Sequence, residues 1–220
     1  MNIAIIIARL GSVRLKNKNI KNFYGKPIIS YPIRTLIRSG IFSKVYVSTE
    51  SKKIAKIASS YGASIPFLRS KSLANNHTST LKVVKNFIYR SKISSKTNVC
   101  CVYPTTPLLS SSLLNKSLKK FLRSRKTFLV PIQKANKSEK KTFQINEKQE
   151  IIKKNKSNTY FKDPGQFYYG TAETFLKKKS ILFSGNSKTI IIPQKSALDV
   201  NRINDWKLLE KIFKKNKKND

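Results

Sequence analysis

A basic, glycine-containing loop follows an apolar run at the start of the chain. Arg9, Arg14 and Lys18 bring positive charge to this loop. Gly11 lets the backbone approach a ligand closely, and Ser12 and the neighbouring amides can donate hydrogen bonds. Combinations of amide donors and cationic side chains bind phosphate groups. The loop therefore predicts a site for a polyphosphate and suggests an enzyme that uses a nucleotide.

Carboxylates that could bind a divalent cation are scarce in this chain. It has 10 acidic residues against 46 lysines and arginines, and Glu50 is the only acidic residue before Glu139. Because magnesium sites usually need carboxylates, few candidates remain. Asp199 follows the last predicted strand by a short loop, where it could reach a metal ion, or else cap a helix or form an ion pair. Asp205 is expected to cap the closing helix.

Strand-like and helix-like segments alternate along the chain and would position these side chains. Five apolar residues in a row at 3–7 favour a strand buried on both faces, as in a parallel sheet. Other strands are predicted from short apolar runs, and helices from apolar residues with helical spacing. The predicted strands are 3–8, 45–49, 98–103, 127–131, 166–169 and 188–193, and the predicted helices are 29–39, 51–61, 78–89, 113–122 and 206–213.

A sheet of this kind would bring the chemically active residues to one edge. Alternating strands and helices predict an α/β fold, with a mostly parallel central sheet, flanking helices and right-handed connections. Ligands of such sheets bind at the carboxyl ends of the strands. Residues 9–19, Ser48, Thr49 and residues 103–107 all follow predicted strands, so we expect them to share that edge.

One domain is expected to account for most of the chain. A length of 220 residues is sufficient for a single α/β domain, and we assign residues 1–213 to it. Residues 132–160 break the alternation, because they are rich in Lys, Asn and Gln and contain at most a short hairpin within 142–152. This segment is either a small β arm that packs on a second subunit or an insertion. Residues 214–220 are predicted to form a solvated basic tail.

The net charge of +36 raises the question of nucleic acid as a partner. The lysines are spread through every segment, and Asn, Ile and Ser are also abundant, which indicates a compositional bias. That bias does not explain the scarcity of Asp and Glu. Some affinity for polyanions therefore remains open, although nucleic acid is not the expected functional partner.

Membrane and disulfide-stabilised classes find little support in the sequence. No apolar run is long enough to span a bilayer, so no membrane partner is expected, and no signal peptide is recognisable. Cys100 and Cys101 are adjacent on a predicted strand and would point to opposite faces. We therefore expect two free core thiols in a reducing cytoplasm and no disulfide between them.

Separated blocks of the chain resemble the acylneuraminate cytidylyltransferases, in the same order. Residues 7–12, followed by Lys18 and Asn19, resemble the phosphate loop of that family. Residues 103–109 (Tyr-Pro-Thr-Thr-Pro-Leu-Leu) resemble its central motif. The resemblance extends over nearly all of residues 1–210, so it is more specific than any single motif. The other blocks that carry it are 24–33, 47–50, 54–55, 61–63, 67–69, 73–74 and 77–78.

Within this family, Tyr103 and residues 163–170 (Asp-Pro-Gly-Gln-Phe-Tyr-Tyr-Gly) resemble most the pseudaminic acid cytidylyltransferases. The resemblance implies a Rossmann-like nucleotidyltransferase fold, a requirement for Mg²⁺ and often a homodimer. The implied reaction transfers CMP from CTP to the anomeric hydroxyl of a nonulosonic acid, which is a nine-carbon 2-keto sugar acid. Pyrophosphate is the implied leaving group.

The resemblance also implies roles for individual residues. Arg9 and Lys18 are the expected catalytic residues, because they would stabilise charge on the leaving pyrophosphate. Asp199 and Asn201 are the expected ligands of Mg²⁺. The expected nucleotide-binding residues are Ala8, Arg9, Gly11, Ser12, Arg14, Lys18, Asn19, Arg69 and Thr80. The expected sugar-binding residues are Tyr103, Thr105, Gln166 and Tyr168.

The chain departs from the family pattern at three positions in its motifs. Val13 stands where the phosphate loop usually has Lys, so Arg14 would supply the charge from another direction. Asn201 and Asn76 stand where Asp is usual. Asparagine brings no negative charge, so Mg²⁺ would bind more weakly or depend more on substrate phosphates and water. His77, the only histidine, is not assigned to catalysis.

Three functions remain open from the sequence. The leading interpretation is an active cytidylyltransferase for pseudaminic acid or a close relative. The second keeps the fold and changes the acceptor, for example to an eight-carbon 2-keto acid, although Tyr103 and residues 163–170 disfavour it. The third is a non-catalytic degenerate paralogue or a polyanion-binding protein, motivated by Val13, Asn201 and the net charge.

Overall fold

Strands and helices alternate in the computed structural model, which describes residues 1–124, 127–139, 141–152, 158–183 and 187–217. The strands are β1 (Asn2–Ile7), β2 (Asn22–Phe23), β3 (Lys26–Pro27), β4 (Lys44–Ser48), β5 (Asn98–Val102), β6 (Phe128–Ala135), β7 (Gln144–Ile145), β8 (Ile151–Ile152), β9 (Tyr160–Lys162), β10 (Phe167–Thr171) and β11 (Ser187–Ile191). The helices are α1 (Ser30–Arg38), α2 (Lys52–Ser60), α3 (Thr80–Arg90), α4 (Ser111–Ser124), α5 (Ala172–Lys177) and α6 (Ile203–Lys217).

The central sheet places several strand ends side by side at one edge. Its strand order is β11-β6-β10-β5-β1-β4, and β9 also pairs with β6. β1 is parallel to β4 and β5, and β11 is parallel to β6. β10 lies between β5 and β6 and is antiparallel to both. The start of β10 therefore lies beside the carboxyl end of β5. This architecture confirms the predicted α/β fold with a mostly parallel sheet.

Both faces of the sheet are covered by helices. Ala4 and Ile6 of β1 belong to a buried cluster with α1, α2 and α4, whereas Ile3 and Ile5 belong to a cluster with α3 and α5. This division follows from the alternation of side chains along a strand. It also separates the adjacent cysteines of β5, which are buried and free, as expected from the sequence.

A third apolar cluster attaches the C-terminal helix to the rest of the fold. The ring of Phe23 in β2 packs edge-on against Trp206 in α6, with ring centroids 5.5 Å apart. Asp205 Oδ2 accepts hydrogen bonds from the backbone N–H groups of Asn201 (2.8 Å) and Arg202 (2.7 Å). Asp205 therefore caps the start of α6, as expected, and fixes the loop just before it.

The described part of residues 132–160 packs on the chain's own sheet. β6 continues to Ala135, and its last residues pair with β9. The short hairpin expected in this segment is present as β7 and β8. Buried Phe143 forms a bridge with Phe161, so the hairpin has an apolar contact inside the domain. A role for the segment in contacting a second subunit stays a prediction.

Several elements lie outside the sequence prediction. The hairpin of β2 and β3 and the short helix α5 had no recognisable periodicity. α6 begins at Ile203 and continues to Lys217, so the first part of the expected basic tail is helical, consistent with the good helix propensity of Lys. The remaining tail residues, 218–220, lie outside the described residues. None of the helices in the described ranges has the length and apolar character to cross a bilayer.

Candidate active site

A cavity of about 1130 Å³ opens at the carboxyl edge of the sheet. The loop after β1 forms one wall, and the loop before α6 forms another. A third wall consists of the residues just after β5 and just before β10, which meet because the end of β5 pairs with the start of β10. The cavity thus brings together segments that are far apart in the sequence. The expected site residues that line it are Arg9, Ser12, Arg14, Lys18, Asn19, Arg69, Thr80, Tyr103, Thr105, Tyr168, Asp199 and Asn201.

Hydrogen bonds fix the loop after β1 in place. The backbone N–H of Leu10 donates to Glu50 Oε1 at 2.7 Å, and Asn19 Nδ2 donates to the carbonyl of Arg9 at 2.8 Å. The Arg9 guanidinium donates to Asn76 Oδ1 at 2.6 Å. Because Asn76 is neutral, it orients Arg9 without cancelling its charge. The family's usual Asp at this position would form an ion pair instead.

Arg69 is buried next to the same loop. Its Nη2 donates to Glu50 Oε2 at 3.0 Å and to the carbonyl of Ala8 at 3.2 Å. Burial lowers the pKa of Arg69, and the Glu50 carboxylate opposes that shift. In the described part of the chain, Arg69 Nε and Asn19 Oδ1 are buried without a hydrogen-bond partner. Most buried polar atoms have partners, so these two atoms leave hydrogen-bonding capacity unused beside the loop.

Cationic and polar side chains converge where the loop after β1 meets the loop before α6. Lys18 Nζ donates to the carbonyl of Val200, and Arg14 Nη2 donates to Asn201 Oδ1 at 2.7 Å. Asn201 Nδ2 in turn donates to Asp199 Oδ2 at 2.7 Å. Burial lowers the pKa of Lys18, while the nearby Asp199 carboxylate raises it. This part of the cavity is positively charged and suited to phosphate.

The two expected magnesium ligands differ in how well they fit a metal ion. Asp199 lines the cavity with a carboxylate that has only one oxygen engaged by Asn201. The carbonyl oxygen of Asn201 is instead occupied by Arg14. In the ranges that the structure describes, no three His, Cys, Asp or Glu side chains group together. Mg²⁺ often binds through one or two carboxylates, water and substrate phosphates, and Asp199 fits that mode.

Aromatic and hydroxyl side chains form the opposite wall, which we call the tyrosine wall (Thr80, Tyr103, Tyr168 and Asp163). The hydroxyls of Thr80 and Tyr103 are 2.7 Å apart, and the rings of Tyr103 and Tyr168 meet edge-on at 5.9 Å. The Tyr168 hydroxyl donates to Asp163 Oδ2. Burial raises the pKa of both tyrosines, so their hydroxyls stay protonated and can act as donors.

Comparison with known proteins identifies the family. The cytidylyltransferase family profile matches residues 3–193. The chain belongs to the cytidylyltransferase family. It is 33% identical to a pseudaminic acid cytidylyltransferase of Campylobacter jejuni, over 98% of this chain and 97% of that protein. It is 26% identical to the CMP-N,N'-diacetyllegionaminic acid synthase of Legionella pneumophila, over 97% of each chain. The expected assignment to a nucleotidyltransferase enzyme family is thereby confirmed.

A solved structure supports the fold of this cytidylyltransferase. A CMP:2-keto-3-deoxy-manno-octonic acid synthetase complexed with CTP superposes with a TM-score of 0.78. The match covers 98% of this chain and 99% of that one, at 14% identity. At that identity the likeness shows a common fold and nothing finer.

Three expected site residues do not line the cavity of this cytidylyltransferase. Ala8 is buried, and it contributes a carbonyl that holds Arg69. Gly11 is exposed at the loop and is not part of the cavity surface. Gln166 is 1% exposed, and its side-chain amide donates to the carbonyl of Pro164. The backbone carbonyl of Gln166 accepts a hydrogen bond from the N–H of Tyr103, so this residue joins two walls from inside.

Other lining residues were not assigned a role from the sequence. Asp163 and Gly165 lie in the cavity, and Gln133 donates from its side chain to the carbonyls of Pro193 and Ala197, which fixes the loop toward Asp199. The sequence could have indicated Asp163, since it begins the block at 163–170 that resembles the pseudaminic acid cytidylyltransferases. Gln133 had none, because it lies in the segment at 132–160 that lacked a pattern.

Proposed function

We propose that the chain transfers CMP from CTP to the anomeric hydroxyl of a nonulosonic acid, with release of pyrophosphate. The observation that carries this proposal is a single cavity with two different halves. One half is cationic, with Arg9, Arg14 and Lys18, and the other is the tyrosine wall. A nucleotide triphosphate suits the first half, and a polar sugar suits the second.

The similar proteins support the choice of acceptor. The C. jejuni relative is named for pseudaminic acid and the L. pneumophila relative for diacetyllegionaminic acid, both at nearly full coverage. Identity is higher to the first, and Tyr103 and residues 163–170 also resemble that group. We therefore infer that pseudaminic acid, or a close relative of it, is the acceptor.

The chemistry asks the protein to hold two anions together and to stabilise the leaving group. The anomeric hydroxyl attacks the α-phosphorus of CTP, the bond from that phosphorus to pyrophosphate breaks, and the hydroxyl proton passes to water or to the departing pyrophosphate. Arg9 and Lys18 would offset the charge that develops on the pyrophosphate. Ser12 and Arg14 would hold the phosphates, and Arg69 and Asn19, which also line the cavity, would bind the nucleoside.

A magnesium ion would assist this reaction by neutralising charge on the triphosphate. Asp199 is the residue that we propose as its protein ligand, with substrate phosphates and water completing the coordination. Arg14 donates to the carbonyl oxygen of Asn201, so a contribution of Asn201 through the second lone pair of that oxygen would bring the metal close to the Arg14 guanidinium. The proposed setting is the cytoplasm, and the proposed assembly is a homodimer.

Pyrophosphate release from CTP tests the proposed function directly. The protein is incubated with CTP, Mg²⁺ and one sugar acid at a time, including pseudaminic acid, diacetyllegionaminic acid, N-acetylneuraminic acid and the eight-carbon 3-deoxy-manno-octonic 2-keto acid. We expect the highest kcat/KM with pseudaminic acid and a CMP-sugar product of the corresponding mass. A preference for the eight-carbon acid would overturn the acceptor, and no pyrophosphate with any acid would overturn the proposed function.

A further inference from the structure

Asp163 is a half-buried carboxylate in the cavity to which the proposed reaction gives no role. It follows β9 and precedes β10, at the edge where β10 meets the end of β5. Its Oδ1 accepts a hydrogen bond from the backbone N–H of Gly165 at 2.8 Å, and its Oδ2 accepts one from the Tyr168 hydroxyl. Each carboxylate oxygen can accept about two hydrogen bonds, so acceptor capacity remains on both.

The chain leaves this carboxylate without a cation despite its excess of 36 positive charges. Among the residues that the structure describes, ion pairs join Arg69 to Glu50, Lys162 to Glu139 and Lys177 to Glu173, and none reaches Asp163. Lys162 immediately precedes Asp163 in the chain but pairs with Glu139 instead. Burying an unpaired carboxylate costs stability, so the arrangement calls for a role in binding.

The neighbours of Asp163 indicate what kind of ligand group it can bind. Burial raises the pKa of Asp163, while the bonds from Tyr168 and Gly165 lower it, and Asp199 adds a second negative charge nearby. Two donors therefore orient the carboxylate of Asp163, whose oxygens can accept further hydrogen bonds, and the pair of Asp163 and Asp199 disfavours an anion beside them. The carboxylate of a sugar acid must therefore lie away from Asp163, toward the cationic half with Arg9 and Lys18. The uncharged end of the sugar would then face Asp163.

We propose that Asp163 is a specificity-determining residue for the sugar acid, and that its carboxylate accepts hydrogen bonds from N–H and O–H groups of the sugar. A sugar acid that carries acylamino groups presents N–H donors at that end, whereas a deoxy analogue without acylamino or hydroxyl groups there presents no donor. Tyr168 and Gly165 hold the carboxylate in a fixed orientation, and this preorganisation favours a particular position of the donors. The inference rests on the proposed function and deepens it.

The variant Asp163→Asn tests the proposal, because it keeps the size of the side chain and removes its charge. We expect KM for the preferred acylamino acid to rise by at least about tenfold, the effect of losing a hydrogen bond to a charged group. KM for CTP and the Mg²⁺ concentration for half-maximal rate should not change. Preference for the acylamino acid over its deoxy analogue, which lacks a donor at that end, should shrink. Glu173→Gln, which removes an exposed carboxylate paired with Lys177, is the matched control.

Three results would overturn the proposal. They are an unchanged KM for the sugar acid, equal increases in KM for the sugar acid and for CTP, and a shift in the Mg²⁺ requirement. The last would make Asp163 a metal ligand. Should Asp163→Asn fail to fold in a thermal-melt assay, Asp163→Glu tests the same point, since it keeps the charge but moves the carboxylate by one methylene group from the position that Tyr168 and Gly165 fix. It should raise KM for the sugar acid and leave KM for CTP unchanged.

A binding measurement separates this proposal from the proposed function. Calorimetry compares the affinities of CMP and of synthetic CMP-pseudaminic acid for each variant, without catalysis. Asp163→Asn should weaken binding of the CMP-sugar by about tenfold and leave CMP binding unchanged. Equal affinities of wild type and variant for the CMP-sugar would overturn the role of Asp163, even if the wild type is active. Failure of the proposed function would appear as absent turnover in the wild type.

Discussion

At the scale of single residues, Lys18 is a cation that the fold holds partly buried among other charges of the cavity. It is partly buried, contacts the carbonyl of Val200 and lies between the charges of Arg14 and Asp199. Burial lowers its pKa, so its positive charge is held at a cost in free energy. A partly buried charge interacts strongly with an anion that enters the cavity, because little water screens the interaction.

We therefore predict that Lys18→Ala lowers kcat by at least about tenfold, since one preorganised donor to the developing charge is lost. Steady-state pyrophosphate release with saturating CTP measures the effect. Lys16→Ala is the matched control, because Lys16 is exposed in the same loop and does not line the cavity. An unchanged kcat for Lys18→Ala would remove this residue from catalysis.

Val13 leaves a gap in the positive charge at the mouth of the cavity. Its side chain is 78% exposed and lines the cavity, at the position where the family usually has Lys. We predict that Val13→Lys lowers KM for CTP by up to roughly fivefold, because an exposed ion pair contributes up to about 1 kcal/mol. Val13→Gln adds a polar group without charge and should leave KM near the wild-type value. Equal KM values for the Lys and Gln variants would show that the charge is not used.

Asn201 links Arg14 to Asp199, and its replacement tests the metal site. In Asn201→Asp the bond from Arg14 would become charge-assisted, while the hydrogen bond to Asp199 would be replaced by repulsion between carboxylates. A divalent cation relieves that repulsion, so we predict a lower Mg²⁺ concentration for half-maximal rate, by roughly tenfold or about 1.4 kcal/mol. Asn201→Ala should not lower it. An unchanged Mg²⁺ concentration for half-maximal rate in Asn201→Asp would indicate that the metal binds elsewhere.

Much of the cavity could be predicted from residue types, but its internal contacts could not. Arg9, Lys18 and Asp199 follow strands that end at one edge, and that edge is where the cavity lies. Gln166 was expected to bind the sugar together with Tyr168, and side-chain alternation along the predicted strand 166–169 would put the two on one face. Strand β10 begins only at Phe167, so the alternation does not extend to Gln166, whose amide turns to Pro164. Contacts of this kind depend on tertiary packing.

At the scale of elements, β10 determines the shape of the site. It runs antiparallel between β5 and β6, and it therefore delivers the segment 163–166 to the same edge as the loop after β1. A parallel strand in this place would have delivered that segment to the other edge. The sequence predicted the strand but not its direction, because direction depends on pairing over long separations. Long apolar runs such as β1 and β5 were predictable, whereas α5 and the two-residue strands were too short to show a period.

Gly170 allows β10 to occupy this central position. A Cβ added there would lie 2.7 Å from the ring of Phe128 and 3.1 Å from that of Phe175. We predict that Gly170→Ala overpacks the core and destabilises the fold by about 1–3 kcal/mol, which thermal unfolding measures. Gly11→Ala is the stability control, because a Cβ at Gly11 meets nothing within 4 Å. Equal melting temperatures for the two variants would contradict this packing argument.

At the scale of the whole molecule, the net charge of +36 exceeds what a site for one nucleotide requires. Cations also gather at residues that do not line the cavity. A depression of about 500 Å³ between α4 and β11 is lined by five of them: Lys116, Lys119, Lys120, Arg123 and Lys188. Burial and the charges of Lys188 and Lys116 lower the pKa of Lys120. A cluster of cations that repel one another attracts polyanions without specificity. The polyanion-binding interpretation can therefore be tested at this cluster.

Salt dependence separates a catalytic function from polyanion binding. Affinity for duplex DNA is predicted to fall by on the order of 10³-fold between about 50 and 200 mM salt, because it reflects release of counterions from many phosphates. CTP presents few phosphates to a preorganised cavity, so its affinity should fall far less and persist at physiological salt. Fluorescence anisotropy with labelled DNA and calorimetry with CTP measure the two affinities. Lys119→Glu with Lys120→Glu should weaken DNA binding and leave CTP binding intact. Tight DNA binding at physiological salt without CTP affinity would favour the polyanion-binding interpretation over the enzyme.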